Sequence, residues 1–105
     1  MLMADIVIRG GSEDLEPELL EFIISSLGVN STPKKVPLKA VSNLGKMLGL
    51  ILPKNTSKIV IVLSRDHLGS ENTFASAAKS AFSGSSVTVL FSHKLDKDNM
   101  LVYFK

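Results

Sequence analysis

The chain has no cysteine, no tryptophan and a single tyrosine among its 105 residues. Without cysteine there is no disulfide framework, no thiolate metal site and no thiol nucleophile, so a reducing, cytoplasmic compartment is expected. Five phenylalanines and one tyrosine are too few to build a stacking platform for single-stranded nucleic acid. Charge of one sign is also scarce in excess: 12 Lys and Arg face 10 Asp and Glu, a formal net charge of +2. Only Lys34 and Lys35 are neighbours among the basic residues, and this spread argues against a nucleic-acid partner. No window approaches the roughly 18 apolar residues of a membrane span, and Met1-Leu2-Met3-Ala4 lacks the basic start of a leader, so neither is expected. What the chain does have is apolar residues, 45% of the total. That suffices for one core without staples, and is slightly rich for a lone monomer, so part of the apolar surface is expected to meet a protein partner or a second copy.

Apolar patterning divides the chain into alternating strands and helices. Residues 5–8 read as a short strand ending in Gly10-Gly11-Ser12, after which Asp14 caps a helix with Leu19, Leu20, Ile23, Ile24 and Leu27 on one face and Gly28 at its end. Residues 35–38 form a weak strand whose Pro37 assigns it to a sheet edge. Val41, Leu44, Met47, Leu48 and Ile51 repeat at helical spacing until Pro53, with Gly45 and Gly49 permitting close backbone approach. Residues 59–63 are five consecutive aliphatic residues, the pattern of a strand covered on both faces. Ser70 opens a third helix with Phe74, Ala77, Ala78, Ala81 and Phe82 inward, and residues 87–91 and 101–104 are two further strands. The order β-α-β-α-β-α-β-β predicts one α/β domain over residues 1–105, a three-layer, flavodoxin-like fold. In it a mostly parallel sheet of four to five strands carries helices on both faces, and the last two strands form a C-terminal β-hairpin.

The string KIVIVLSRDHLGSENTFASAA, residues 58–78, resembles the central strand and following loop of Toll/interleukin-1 receptor homology (TIR) domains, with Leu63-Ser64 and Ser70 on the matching positions. Asp5-Ile6-Val7-Ile8 followed by Ser12-Glu13-Asp14 resembles that family's first strand and polar loop, so the likeness covers residues 4–92. It implies a TIR-like fold and an assembly role in signalling. In the same register Gly10 stands where the family has an aromatic, Asn72 and Thr73 where it has Trp-Cys, and Ser76 where NAD-cleaving members carry their glutamate. The resemblance is therefore to a degenerate member, with Glu71 the nearest alternative carboxylate.

Candidate chemistry gathers at strand ends, where α/β proteins place their sites. Ser64, Arg65, Asp66 and His67 follow the central strand. Groups so close in sequence rarely make a hydrolytic triad, and Gly-x-Ser-x-Gly is absent. His67, Asp66 and His93 match no standard metal-ligand spacing, so no metal is expected. Gly10, Gly11 and Ser12 follow a strand and precede a helix, but Glu13, Asp14 and Glu16 repel an anion there. Were NAD to bind, Arg9 and Arg65 would be its phosphate partners. The interaction reading rests on residues 41–52, a helix apolar beyond one stripe, and on residues 101–104, a last strand placed to extend a partner's sheet. We expect a non-enzymatic interaction or self-assembly module without cofactor; its candidate ligand or interface loops hold Arg9, Gly10, Gly11, Ser12, Ser64, Arg65, Asp66, His67 and Glu71. The alternatives are an NAD-cleaving or nucleotide-binding enzyme or sensor, and a small regulator or inhibitor that docks on another protein.

Overall fold

The computed structural model describes residues 6–8, 22, 24–29, 33–38, 43–92 and 94–105. Along the chain lie β1 (Ile6–Ile8), β2 (Lys34–Pro37), α1 (Leu44–Ile51), β3 (Lys58–Ser64), a single 3-10 turn (Arg65–His67), α2 (Glu71–Ala81), β4 (Ser86–Ser92) and β5 (Asn99–Phe104). Residues 24–26 are also helical. Gly28, with φ of +74°, follows them in the left-handed conformation that glycine adopts without strain. The Lys58 ammonium donates to the Leu27 carbonyl at 3.0 Å and so binds this turn to the start of β3.

One five-stranded sheet runs β1-β4-β3-β5-β2. The β1/β4 and β4/β3 pairs are parallel, whereas β3/β5 and β5/β2 are antiparallel. This corrects the mostly parallel sheet, flavodoxin-like or TIR-like, that the strand patterning and the TIR resemblance predict. An unbroken apolar run reports only that both faces of a strand are covered, and coverage is indifferent to the direction of the neighbours. The C-terminal hairpin is also absent: β4 already has β1 and β3 on its two sides, and residues 94–98 lead into β5 on the far side of β3. There β5 sets Phe104 opposite Ile59 and Leu101 opposite Val62. Since β5 lies inside the sheet, it cannot add to a partner's sheet as its terminal position in the sequence suggests.

Beyond it, β2 forms one edge. Leu38 N–H donates to the Asp98 carbonyl at 2.8 Å, which makes residues 38, 36 and 34 the bonded positions facing β5 and turns Lys35, Pro37 and the preceding Pro33 outward. Proline has no N–H, so of these outward residues only Lys35 can donate a backbone bond to a strand partner.

Alternate residues divide the core between the two faces. Ile59, Ile61, Leu63, Val87, Val89, Phe91, Met100 and Val102 pack against Leu44 and Leu48 of α1 and Phe74, Ala75 and Ala78 of α2. Val60, Val62 and Leu90 pack against Ile24, with Leu27, Leu101 and Tyr103 at the margin. Both α1 and α2 therefore lie on one face, and their contact depends on Gly45. A Cβ placed there would lie 2.6 Å from the Ala77 carbonyl oxygen and in collision with Ser80 Oγ, whereas one at Gly49 meets nothing within 4 Å. Of the two glycines read as close-packing positions, only Gly45 is one.

Opposite outcomes are expected from the same substitution one turn apart. Gly45→Ala should lower stability by about 1–3 kcal/mol through overpacking, and Gly49→Ala should raise it by up to about 1 kcal/mol through helix propensity. Urea denaturation of both variants checks this, and loss of stability at position 49 would refute the geometry given for α1.

Candidate functional site

The residues that end β3 form a turn held by its own polar groups. Ser64 is buried, and its Oγ accepts from the Asp66 N–H at 3.1 Å while donating to Asp66 Oδ2 at 3.0 Å. This is the local side-chain capping that serine favours at the entrance to a helical turn. Gly69 completes the loop with φ of +97°, and its N–H donates to Glu71 Oε1. Ser70 occupies the position before α2, but its side chain makes no capping bond there.

His67 points away from Ser64 and Asp66. Its Nε2 lies 2.8 Å from the Lys97 carbonyl oxygen; a carbonyl only accepts, so Nε2 carries the proton and donates. The ring also meets Phe74 edge to face, with centroids 5.3 Å apart at 71°. Thus Ser64, Asp66 and His67, adjacent in sequence, form no relay, and His67 instead clasps the segment leading into β5. That segment is ordered in turn by Asp96, whose Oδ2 accepts from Asn99 Nδ2 at 2.9 Å and from the Asp98 N–H at 3.3 Å. The Asn99 bond is the main cause that holds the Asp96 carboxyl below its usual range, with backbone N–H groups and the charge of Lys35 acting in the same direction.

Sequence reading assembled Ser64, Arg65, Asp66, His67 and Glu71 as one loop, and the structure brings them to the carboxyl end of β3. Arg9, Gly10, Gly11, Ser12 and His93 lie outside the described residues. Lys97 and Asn99 escaped notice because a carbonyl partner leaves no mark in side-chain chemistry; the Asp-x-x-Asn spacing at Asp96 and Asn99 was the available signal for the turn. Among the described residues no cluster of His, Cys, Asp and Glu could hold a metal ion, and no helix is long and apolar enough to cross a membrane.

A different surface stands out by what it leaves uncovered. Leu44, Gly45 and Leu48 are the buried side of α1. Leu50 is 79% exposed and Ile51 38% exposed, with partly buried Met47 one turn before them. Spacings of three and four along a helix make Met47, Leu50 and Ile51 neighbours on its surface. At the amino ends of β3 and β4, a pocket of about 330 Å³ is lined by Lys54, Asn55, Thr56, Ser57, Phe82, Ser83 and their neighbours.

Two variants test the clasp. His67→Phe keeps the ring contact but loses the bond to Lys97, and should cost about 1 kcal/mol while hastening amide exchange over residues 95–99; unchanged exchange would show that the bond holds nothing. Because the folded Asp96 carboxyl lies below its ordinary value, its contribution to stability is present above that ordinary value and is lost as pH falls through the lower folded one. Asn99→Ala should therefore flatten the acid limb of a stability-versus-pH curve, and an identical limb would exclude the Asp96–Asn99 bond as its source.

Comparison with curated proteins and with solved structures finds no match to the chain. A family described as a domain of unknown function (DUF4898) matches residues 17–101, a span from before helical residues 24–26 into β5, and the chain belongs to that family.

Proposed function

We propose that this chain is a non-enzymatic interaction module that self-associates through the outward face of α1, in a reducing cytoplasmic compartment where its lack of cysteine is no handicap. The carrying observation is Leu50, 79% exposed on a helix whose opposite side is fully buried. A single exposed leucine is ordinary, but Leu50 adjoins Ile51 and Met47, and Lys46 is the only charged residue in α1. Burying one leucine side chain contributes about 1.5–3 kcal/mol, enough to make such a patch the centre of a contact between copies. Two features support this over sheet extension: the prolines on the outward side of β2, and the interior position of β5. The assembly role implied by the TIR resemblance agrees with it. So does the carboxyl end of β3, where Ser64, Asp66 and Glu71 bond within their own loop, His67 bonds to the Lys97 carbonyl, and these groups form no relay toward a substrate.

Light scattering over a concentration series should show a reversible oligomer for the native chain and a monomer for Leu50→Glu, with the two melting within a few degrees of each other because the side chain is mostly solvated. A native chain that stays monomeric throughout, or a Leu50→Glu oligomer of unchanged affinity, would overturn the proposal.

A further inference from the structure

We infer that the pocket at the amino ends of β3 and β4 binds a small phosphorylated ligand, an activity separate from association through α1. Its walls are residues 54–57, which enter β3, and residues 81–85, which leave α2. They are joined beneath the pocket: Ser85 Oγ donates to the Thr56 carbonyl at 2.6 Å, and Ser86 N–H donates to the Ser57 carbonyl at 3.0 Å. Thr56 and Ser85 are buried, and Thr56 Oγ1 donates to the Pro53 carbonyl at 2.6 Å. The floor is therefore fixed before any ligand arrives, which lowers the ordering cost of binding.

The rim is rich in donors. Lys54, Asn55, Ser57, Ser83 and Gly84 are all exposed. The backbone N–H groups of Lys54, Asn55, Ser83 and Gly84 donate to no other described group, and Gly84 places no side chain over the opening. The carbonyls that end α2 would ordinarily repel an anion, but Lys79 Nζ donates to Ser83 and Ser85 carbonyls at 2.8 and 2.7 Å and brings a positive charge under that wall. Among the described residues, the side-chain carboxylates lie at the other end of the sheet: Asp66 and Glu71 after β3, Asp96 and Asp98 before β5.

A donor-lined recess with Lys54 on its rim and the Lys79 ammonium under one wall suits an anion. A phosphate monoester fits better than a carboxylate, because three terminal oxygens can accept from both walls and from Lys54 at once, where a carboxylate has two. The volume of about 330 Å³ admits a phosphate with a sugar attached.

The test is a titration of the full chain with inorganic pyrophosphate, ribose 5-phosphate and AMP, followed by amide NMR shifts. Shifts concentrated at residues 54–57 and 83–85, with Lys54→Ala weakening the binding about tenfold and Lys94→Ala at the opposite end leaving it unchanged, are the expected result. Preference for AMP over ribose 5-phosphate would assign a nucleotide, and equal affinity a sugar phosphate. Shifts absent from these two segments, or an equal loss in Lys54→Ala and Lys94→Ala, would overturn the inference.

Discussion

Burial of β3 on both faces is the constraint around which the molecule is arranged. Every residue from Ile59 to Leu63 is at most 1% exposed, and no strand can achieve that unless its sheet continues on both sides and something apolar covers each face. Parallel β4 and antiparallel β5 supply the lateral partners. The two helices supply one cover, and the segment around Ile24 supplies the other. The bond from Lys58 to the Leu27 carbonyl ties that second cover to the first residue of the same strand, so the opposite layers share one anchor.

With the core settled by β3, chemistry is confined to the two ends of the sheet, and the ends differ in kind. At the carboxyl end, carboxylates and a histidine are consumed in fastening loops to one another: Ser64 with Asp66, His67 with Lys97, Asp96 with Asn99. These bonds fix the route by which the chain passes β3 and enters β5, which makes them part of the fold. At the amino end the buried polar groups pair beneath the surface and the exposed ones face outward, so the same need to satisfy buried donors and acceptors leaves a recess there rather than a clasp.

Helix α1 illustrates how one short element divides its duties. Its buried side closes the core through Leu44 and Leu48 and meets α2 through Gly45, where only the absence of a Cβ permits the approach. Its outward side carries no comparable demand, yet beside the single charge of Lys46 it holds Leu50 and Ile51. Apolar residues exposed on a helix face are the physical basis for an association surface, and the prolines at the β2 edge disfavour sheet extension on that side.

Much of this was legible in the residues. The places of the described strands and of α1 and α2 followed from apolar period and from glycine and proline, and Pro37 marked an edge strand because a missing N–H can be tolerated only there. That Ser64, Arg65, Asp66, His67 and Glu71 follow a buried strand is likewise a matter of chain order. What tertiary structure alone decided was direction and partnership. Whether β5 pairs with β4 or crosses to β3 depends on which strand still has an open side, a property of the assembled sheet that no local pattern encodes. Whether His67 faces Asp66 or the Lys97 carbonyl depends on where that crossing places residue 97. Gly45 and Gly49 look alike in sequence, and only the position of α2 distinguishes the one that must be glycine from the one that need not be.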